Sequence, residues 1–350
     1  MYRASIPAFL LLALLATACS LRSGNLEPDS SSADGASTTK EIRSSTTSST
    51  SAVDDEVCRA EPGPSRRDQV CHRWRCDGRD ASVAARWSGE LSSCSAGDLD
   101  GAAAERALRL VNLHRFLAGV EPVTAEATWT GAAQQCALVA HANGKLSHTP
   151  SPDWRCWSDV AALTSSVSLI ANRSAPPAIA AFIEDPGNEA TMVHRRWLLS
   201  EELKHVGFGS TDRYSCVVVD GRSLDAAANA GAAKTVSAPV DDAEHAEPRG
   251  WVAWPPPGPV PLDVFRSERL DEIGWTVQSS SDDLDHATVS VTSEGTKLPI
   301  TTTALEPLEG SRSAIRFVPE GWKTESGRAY VVSVEGTRAL EYTVEPTGCE

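Results

Sequence analysis

Between Leu108 and Pro150 the chain places apolar residues at helical spacing twice, and this stretch limits the folds open to it. Leu110, Leu113 and Leu117, joined by Leu108 and Val111, predict a helix over 102–117. Asp98 and Asp100 stand at its start, where carboxylates suit the helix dipole, and Gly119 stands just past its end as a C-cap. A second helix is predicted over 127–143, closed by Gly144. Its expected buried stripe is Ala132, Ala133, Cys136, Val139 and Ala140, residues small enough for another layer to approach closely. His148 follows just beyond it.

The pattern then mixes. Residues 158–171 read as a third helix. A fourth follows Ser174, with Pro176 and Pro177 in its first turn, Ile179, Phe182 and Ile183 apolar, and Pro186-Gly187 ending it. Residues 192–199 continue as helix or turn, and strand-like runs follow over 206–209 and 214–219. Helices with a few late strands predict an α+β sandwich over 101–220.

The N-terminus predicts export. Arg3, an apolar run from Ile6 to Leu15 and the small residues Ala16-Thr17-Ala18 describe a secretory signal over 1–18, too short to span a bilayer. Cys19 directly after them resembles the lipobox of bacterial lipoproteins, with Ala16 where that motif usually has Leu. The resemblance implies a lipid on Cys19 and a place in the cell envelope, and Ser20 points toward the outer membrane or cell surface. An ordinary signal peptide with a coincidental cysteine is the alternative. Residues 19–56, rich in Ser, Thr and acids, have almost nothing apolar to bury and read as a disordered tether. The net charge of -15 excludes a nucleic-acid partner and would repel an anionic membrane surface, so the lipid must hold the chain there.

Of nine cysteines, eight remain when Cys19 is set aside, an even number that suits up to four disulfides in an oxidising compartment. On the order of 100 pairings are open to them. The expected bridge is Cys136–Cys156, tying the second helix to the loop past His148. A zinc site at Cys71 and Cys76 has poorer spacing. Residues 57–100, with four of the cysteines, read as an irregular cysteine-rich extension.

Residues 221–250 show no helical or strand pattern and read as a linker. The run Trp251–Pro259 reads as a rigid join packed by its tryptophans. Beyond it, short alternating runs such as Val289 with Val291, Ile315 with Phe317, and Tyr330 with Val332 and Val334 predict a small all-β, immunoglobulin-like domain over 251–350. Cys349 is expected to staple the terminus, to the N-terminal extension.

Several pieces in order resemble one family. Asn112-x-x-Arg115, Gly119-x-x-Pro122, the small-residue segment 132–140, Leu146-x-His148, the segment His194–Leu199 and the strand Val206–Gly209 are similar to the CAP superfamily, the cysteine-rich secretory, antigen 5 and pathogenesis-related proteins. The resemblance spans roughly 102–220 and implies an α-β-α sandwich with an open cleft. In many members two histidines and two acids meet there, sometimes around a divalent metal. His148 fits the first histidine and His194 the second. Ser168 stands where one acid is expected, and Asp185 has the better spacing for the other, although a residue before Pro186 can simply start a turn.

Two histidines and one acid suffice to hold zinc with an open position, so the resemblance admits a divalent metal at His148 and His194. Without the missing carboxylate no evident base remains to activate a bound water. Ser168 lies in no Gly-x-Ser-x-Gly elbow and there is no His-Glu-x-x-His helix, which disfavours a serine hydrolase and a zinc protease. His141 and His205 have no family placement and read as solvated. The chain therefore reads first as a binder, taking a small molecule, lipid, glycan or protein in a cleft lined by His148, His194, Asp185 and Ser168. A metal-dependent hydrolase or peptidase of the envelope, and a structural envelope protein, are the alternatives.

Overall fold

The computed structural model describes residues 56–79, 81–230, 249–267, 269–309, 311–336 and 339–349. The expected signal, Cys19 and nearly all of the tether lie outside the described residues, as does most of 231–250. No helix among the described residues is long and apolar enough to cross a membrane.

The extension read as irregular contains a helix, α1 (Arg66–Asp77), whose first turn is capped by the Ser65 hydroxyl accepting the Asp68 N–H. Only Val70 is fully buried along it, so it has no apolar stripe to betray it in sequence. Disulfides fasten it instead. Cys58–Cys76 closes its own end, and Cys71–Cys349 ties it to the far terminus.

Two long helices follow where the periodicity placed them. Helix α2 (Gly101–Ala118) is capped by Asp100 and ended by Gly119 at φ 71°, a left-handed conformation that glycine adopts without penalty. Next come β1 (Thr124–Ala125) and α3 (Ala127–Asn143), ended by Gly144. Residues 158–171 do not form one helix: α4 (Asp159–Ser166) stops, and β2 (Ser168–Ala171) begins. In β2 the period becomes two, with Leu169 and Ala171 in one apolar cluster and Ile170 against another. Helices α5 (Pro177–Glu184) and α6 (Val193–Leu198) precede β3 (His205–Ser210) and β4 (Ser215–Val218). The sheet order is β1-β3-β4-β2, parallel at β1–β3 and antiparallel elsewhere.

Helix α3 lies on one face of this sheet and α2, α5 and α6 on the other. Close approach of α3 requires the glycines of the Val206–Gly209 strand. A Cβ on Gly209 would stand 2.0 Å from the Ala133 carbonyl carbon, and one on Gly207 would stand 2.5 Å from Trp129. The disulfide from α3 runs straight down to this sheet, as Cys136–Cys216. That corrects the expected Cys136–Cys156 bridge. Cys136 belongs to the buried stripe facing β4, whereas Cys156 lies in the partly exposed loop and pairs with Cys94 of the extension. The stretch read as a linker opens with α7 (Arg222–Ala230), held by buried Leu224 and by the Trp129 indole N–H donating to Asp225 at 2.8 Å.

The C-terminal region is all-β apart from two short helices, α8 (Leu262–Ser267) and α9 (Leu270–Ile273). Its strands are β5 (Trp251–Trp254), β6 (Gly258–Pro261), β7 (Trp275–Ser279), β8 (Thr288–Ser293), β9 (Thr296–Leu298), β10 (Ile300–Leu305), β11 (Ser313–Pro319), β12 (Tyr330–Glu335) and β13 (Leu340–Thr347). They form two sheets, β10-β11-β7-β5 and β6-β13-β12-β8-β9. Trp275, Val277, Ile315 and Phe317 from one, and Val291, Tyr330, Val332 and Val344 from the other, share one apolar core. That core continues into Leu110, Phe182 and Val206 of the preceding sandwich.

Strand β7 shows how the two parts meet. It is buried on both faces. Trp275 and Val277 fill the β-sandwich, while Thr276 and Gln278 pair with β5 and turn toward α6. The Gln278 amide donates to the Arg196 carbonyl at 3.2 Å, and Trp254 packs 5.5 Å from the His114 ring of α2.

Candidate functional site

The turn between α5 and α6 carries Asp185 and His194. Asp185 ends α5 in a left-handed conformation, φ 61°, and is completely buried. Its Oδ2 accepts the backbone N–H of His194 at 2.9 Å and of Arg195 at 3.3 Å. Its Oδ1 accepts the Asn188 amide at 2.8 Å and lies 2.8 Å from His194 Nδ1. A carboxylate facing the first N–H groups of α6 does the work of an N-cap from outside the helix. The His194 ring also rests on Phe182, with centroids 4.9 Å apart. With Nδ1–H committed to the carboxylate, Nε2 is the remaining ring nitrogen.

The next two residues bind this turn to the rest of the molecule. Arg195 donates from Nε to the Ile183 carbonyl and from Nη2 to that of Glu184, the last unpaired carbonyls of α5, and from Nη1 to Gly274 of the β-sandwich. Arg196 donates to the carbonyls of Thr191 and Glu306 and to both oxygens of Ser311. From α2, Arg115 closes the opposite end of α6 by donating to Leu198, Ser200 and Leu203 carbonyls. Burial draws the guanidinium groups of Arg115 and Arg196 down to about 10, so both remain charged at neutral pH. An arginine is suited to this position because its planar fork satisfies several carbonyls at once. Asn112, the other named residue of the Asn112-x-x-Arg115 motif, grips the Val123 backbone from both sides, at 2.8 and 3.0 Å.

His148 belongs to a different segment. It is exposed in the loop past α3, and its one hydrogen bond joins Nδ1 to the Ser165 carbonyl at 2.8 Å. A carbonyl only accepts, so Nδ1 carries the proton and Nε2 is again the free nitrogen. Ser168 is buried in β2 opposite Val218, on the α3 face of the sheet, with no partner for its hydroxyl. Among the described residues, no hydrogen bond or ion pair joins His148 or Ser168 to the Asp185–His194 pair. The Ser168 hydroxyl and the His148 ring are not in hydrogen-bond contact either.

The residues present do not fit a divalent metal. Among the described residues no group of three or more His, Cys, Asp or Glu is disposed to hold one. Both oxygens of Asp185 are already taken up by four donors.

The structure also relocates His141. It is not solvated: its ring lies between Trp87 and Tyr214, 5.6 Å from each. His205 is more exposed and bonds Thr124 through Nδ1 at 2.9 Å. It lines a cavity of about 350 Å³ with Trp129, Trp197 and Asp220, and neither His148 nor His194 reaches that cavity. Sequence reasoning missed Asn188 and the roles of Arg195 and Arg196. Two adjacent arginines before an apolar run were the available signal, since charges there must either reach solvent or find carbonyls.

No curated protein and no solved structure matches the chain. Residues 108–219 match the model of the cysteine-rich secretory protein family, CAP. They contain the sheet, the helices on its two faces, and both Asp185 and His194. The chain thus carries a domain of the CAP family, embedded between a disulfide-fastened N-terminal helix and a C-terminal β-sandwich.

Proposed function

We propose that this chain is an exported CAP-domain protein of the cell envelope, lipid-anchored at Cys19, that binds a ligand rather than turning one over. The observation that carries the reading is the state of Asp185. The acid best placed for chemistry is sealed from solvent and spent on the backbone of α6 and on the His194 ring. A general base must reach a substrate proton, and this carboxylate has no free lone pair aimed outward. The four disulfides fit an oxidising compartment outside the cytoplasm. The finer part of the proposal keeps His148 and His194 as two sides of the ligand cleft, each held by Nδ1 and offering Nε2 as an acceptor.

One observation favours a second reading. A buried carboxylate on Nδ1 is the arrangement that orients a catalytic imidazole, so His194 Nε2 would serve a hydrolase. Incubation of the full chain with isolated envelope material and with peptide and ester panels separates the two. Retention on the envelope without soluble product supports binding, and turnover that disappears in His194→Ala overturns it. Incorporation of a labelled fatty acid tests the anchor, because label that persists in Cys19→Ala would sink it.

A further inference from the structure

Three arginines, two from α1 and one from the segment before β5, line one cavity of about 360 Å³ between α1 and the C-terminal end of α2. The Arg66 guanidinium lies 4.0 Å from the centre of the Phe116 ring and donates to the Phe116 carbonyl at 2.7 Å. The Arg73 guanidinium lies 4.6 Å from the same ring and is ion-paired with Asp77. Arg249 arrives from the segment before β5. Its guanidinium covers Gly119, where a Cβ would meet Nη2 at 3.1 Å.

These charges feel one another. Burial lowers the pKa of Arg66, and repulsion from Arg249 and Arg73 lowers it further. Among the described residues, no carboxylate forms an ion pair with Arg66 or Arg249. Only one acidic residue, Glu121, is among those lining the cavity. In a chain of net charge -15, such a gathering of cations is a local reversal of the overall field. Keeping like charges together costs free energy that an anion between them would offset. The cavity is larger than an inorganic phosphate needs, and Phe116, Leu117 and Pro257 give it an apolar wall.

We propose that this cavity binds an oxyanion carried on a small organic group, a phosphate monoester being the type case. Arg66 and Arg249 supply the hydrogen bonds, Arg73 adds a fixed positive charge already held by Asp77, and the apolar wall takes the organic part. The oxyanion can belong to a free metabolite or to a lipid headgroup, since the guanidinium forks recognise both alike. The site is separate from His148 and His194, so it stands whether or not they line a cleft.

Calorimetric titration of the full chain with phenyl phosphate at low ionic strength tests it, alongside sedimentation with vesicles of phosphatidylcholine with and without phosphatidylglycerol. We expect saturable phenyl phosphate binding that weakens about tenfold or more in Arg249→Ala and in Arg66→Ala. Arg66→Lys should retain most of it, and Arg213→Ala, an exposed arginine elsewhere, should change nothing. Among the described residues the Arg249 side chain makes no hydrogen bond, so that variant tests binding with little folding penalty. A preference for phosphatidylglycerol that vanishes in the same variants assigns the headgroup as the source. Binding of phenyl phosphate alone assigns a free anion. Absence of saturable binding to either probe overturns the proposal, as does binding unchanged in the Arg66→Ala/Arg249→Ala double variant or equally lost in Arg213→Ala.

Discussion

His148 and His194, the two histidines the sequence singles out, live in opposite physical circumstances. His194 hangs from a turn in which nearly every polar atom is used. Asp185 holds its ring and backbone, Asn188 holds Asp185, and Arg195 and Arg196 run on into the β-sandwich. His148 hangs from an exposed loop by one bond to a carbonyl, and the Cys94–Cys156 disulfide is the firmest tie of that loop to the rest. The contrast teaches that two histidines in one domain can stand in different physical roles. The residues around His194 form the joint between two layers, so replacing them carries a structural cost. Those around His148 contribute little that the fold needs.

The largest effect that would sharpen the contrast lies at the joint. Arg196→Met keeps the volume but takes the donor from the carbonyls of Thr191, Glu306 and Ser311, the last of them fully buried. We expect a loss of about 3–5 kcal/mol, read as a fall in the midpoint of thermal or urea unfolding. A loss below about 1 kcal/mol would show that the β-sandwich docks without the arginines.

On the His148 side the matching experiment is removal of its tether. Replacing both Cys94 and Cys156 by Ser should cost about 2–4 kcal/mol, chiefly through the freed unfolded chain. Hydrogen exchange should quicken over 148–157 and leave the amides of His194 and Arg195 protected. Equal loss of protection at both would break the separation drawn here.

Asp185 comes next. Asp185→Ala deprives two backbone N–H groups and the His194 ring of their acceptor and puts a Cβ-only residue at positive φ, for about 2–3 kcal/mol. Asp185→Asn should cost less, because asparagine tolerates that backbone conformation and keeps one acceptor oxygen.

Much of this was legible beforehand, for reasons that differ by element. Helices α2 and α3 were readable because their stripes and glycine caps lie within one local stretch. The alternation in β8, β11 and β12 was readable because each has one face in the core. Helix α1 was not, since disulfides and one buried valine replace a stripe. Strand β2 reads as helix in the sequence because four residues cannot separate a period of two from one of 3.6. The Cys136 partner is not legible in the sequence because nearness along the chain says nothing of which layer a cysteine faces. At the site, the sequence singles out Asp185 and His194 separately, and the structure brings the two into contact. Their mutual contact depends on a left-handed turn that spacing alone does not specify.

The smallest expected effect is the most discriminating. His148→Ala removes one hydrogen bond at an exposed residue, made to the carbonyl of the buried Ser165. Stability should change by no more than about 1 kcal/mol. If His148 serves a ligand, retention on envelope material should fall while the unfolding midpoint holds. His194→Gln reverses the balance: it disturbs the Asp185 network, so stability and retention should drop together. A variant pair in which His148→Ala unfolds the domain and His194→Gln does not would mean that the joint lies on the other side of the sheet. The ordering of Asp185, Arg195 and Arg196 around one turn makes that outcome the one this structure forbids.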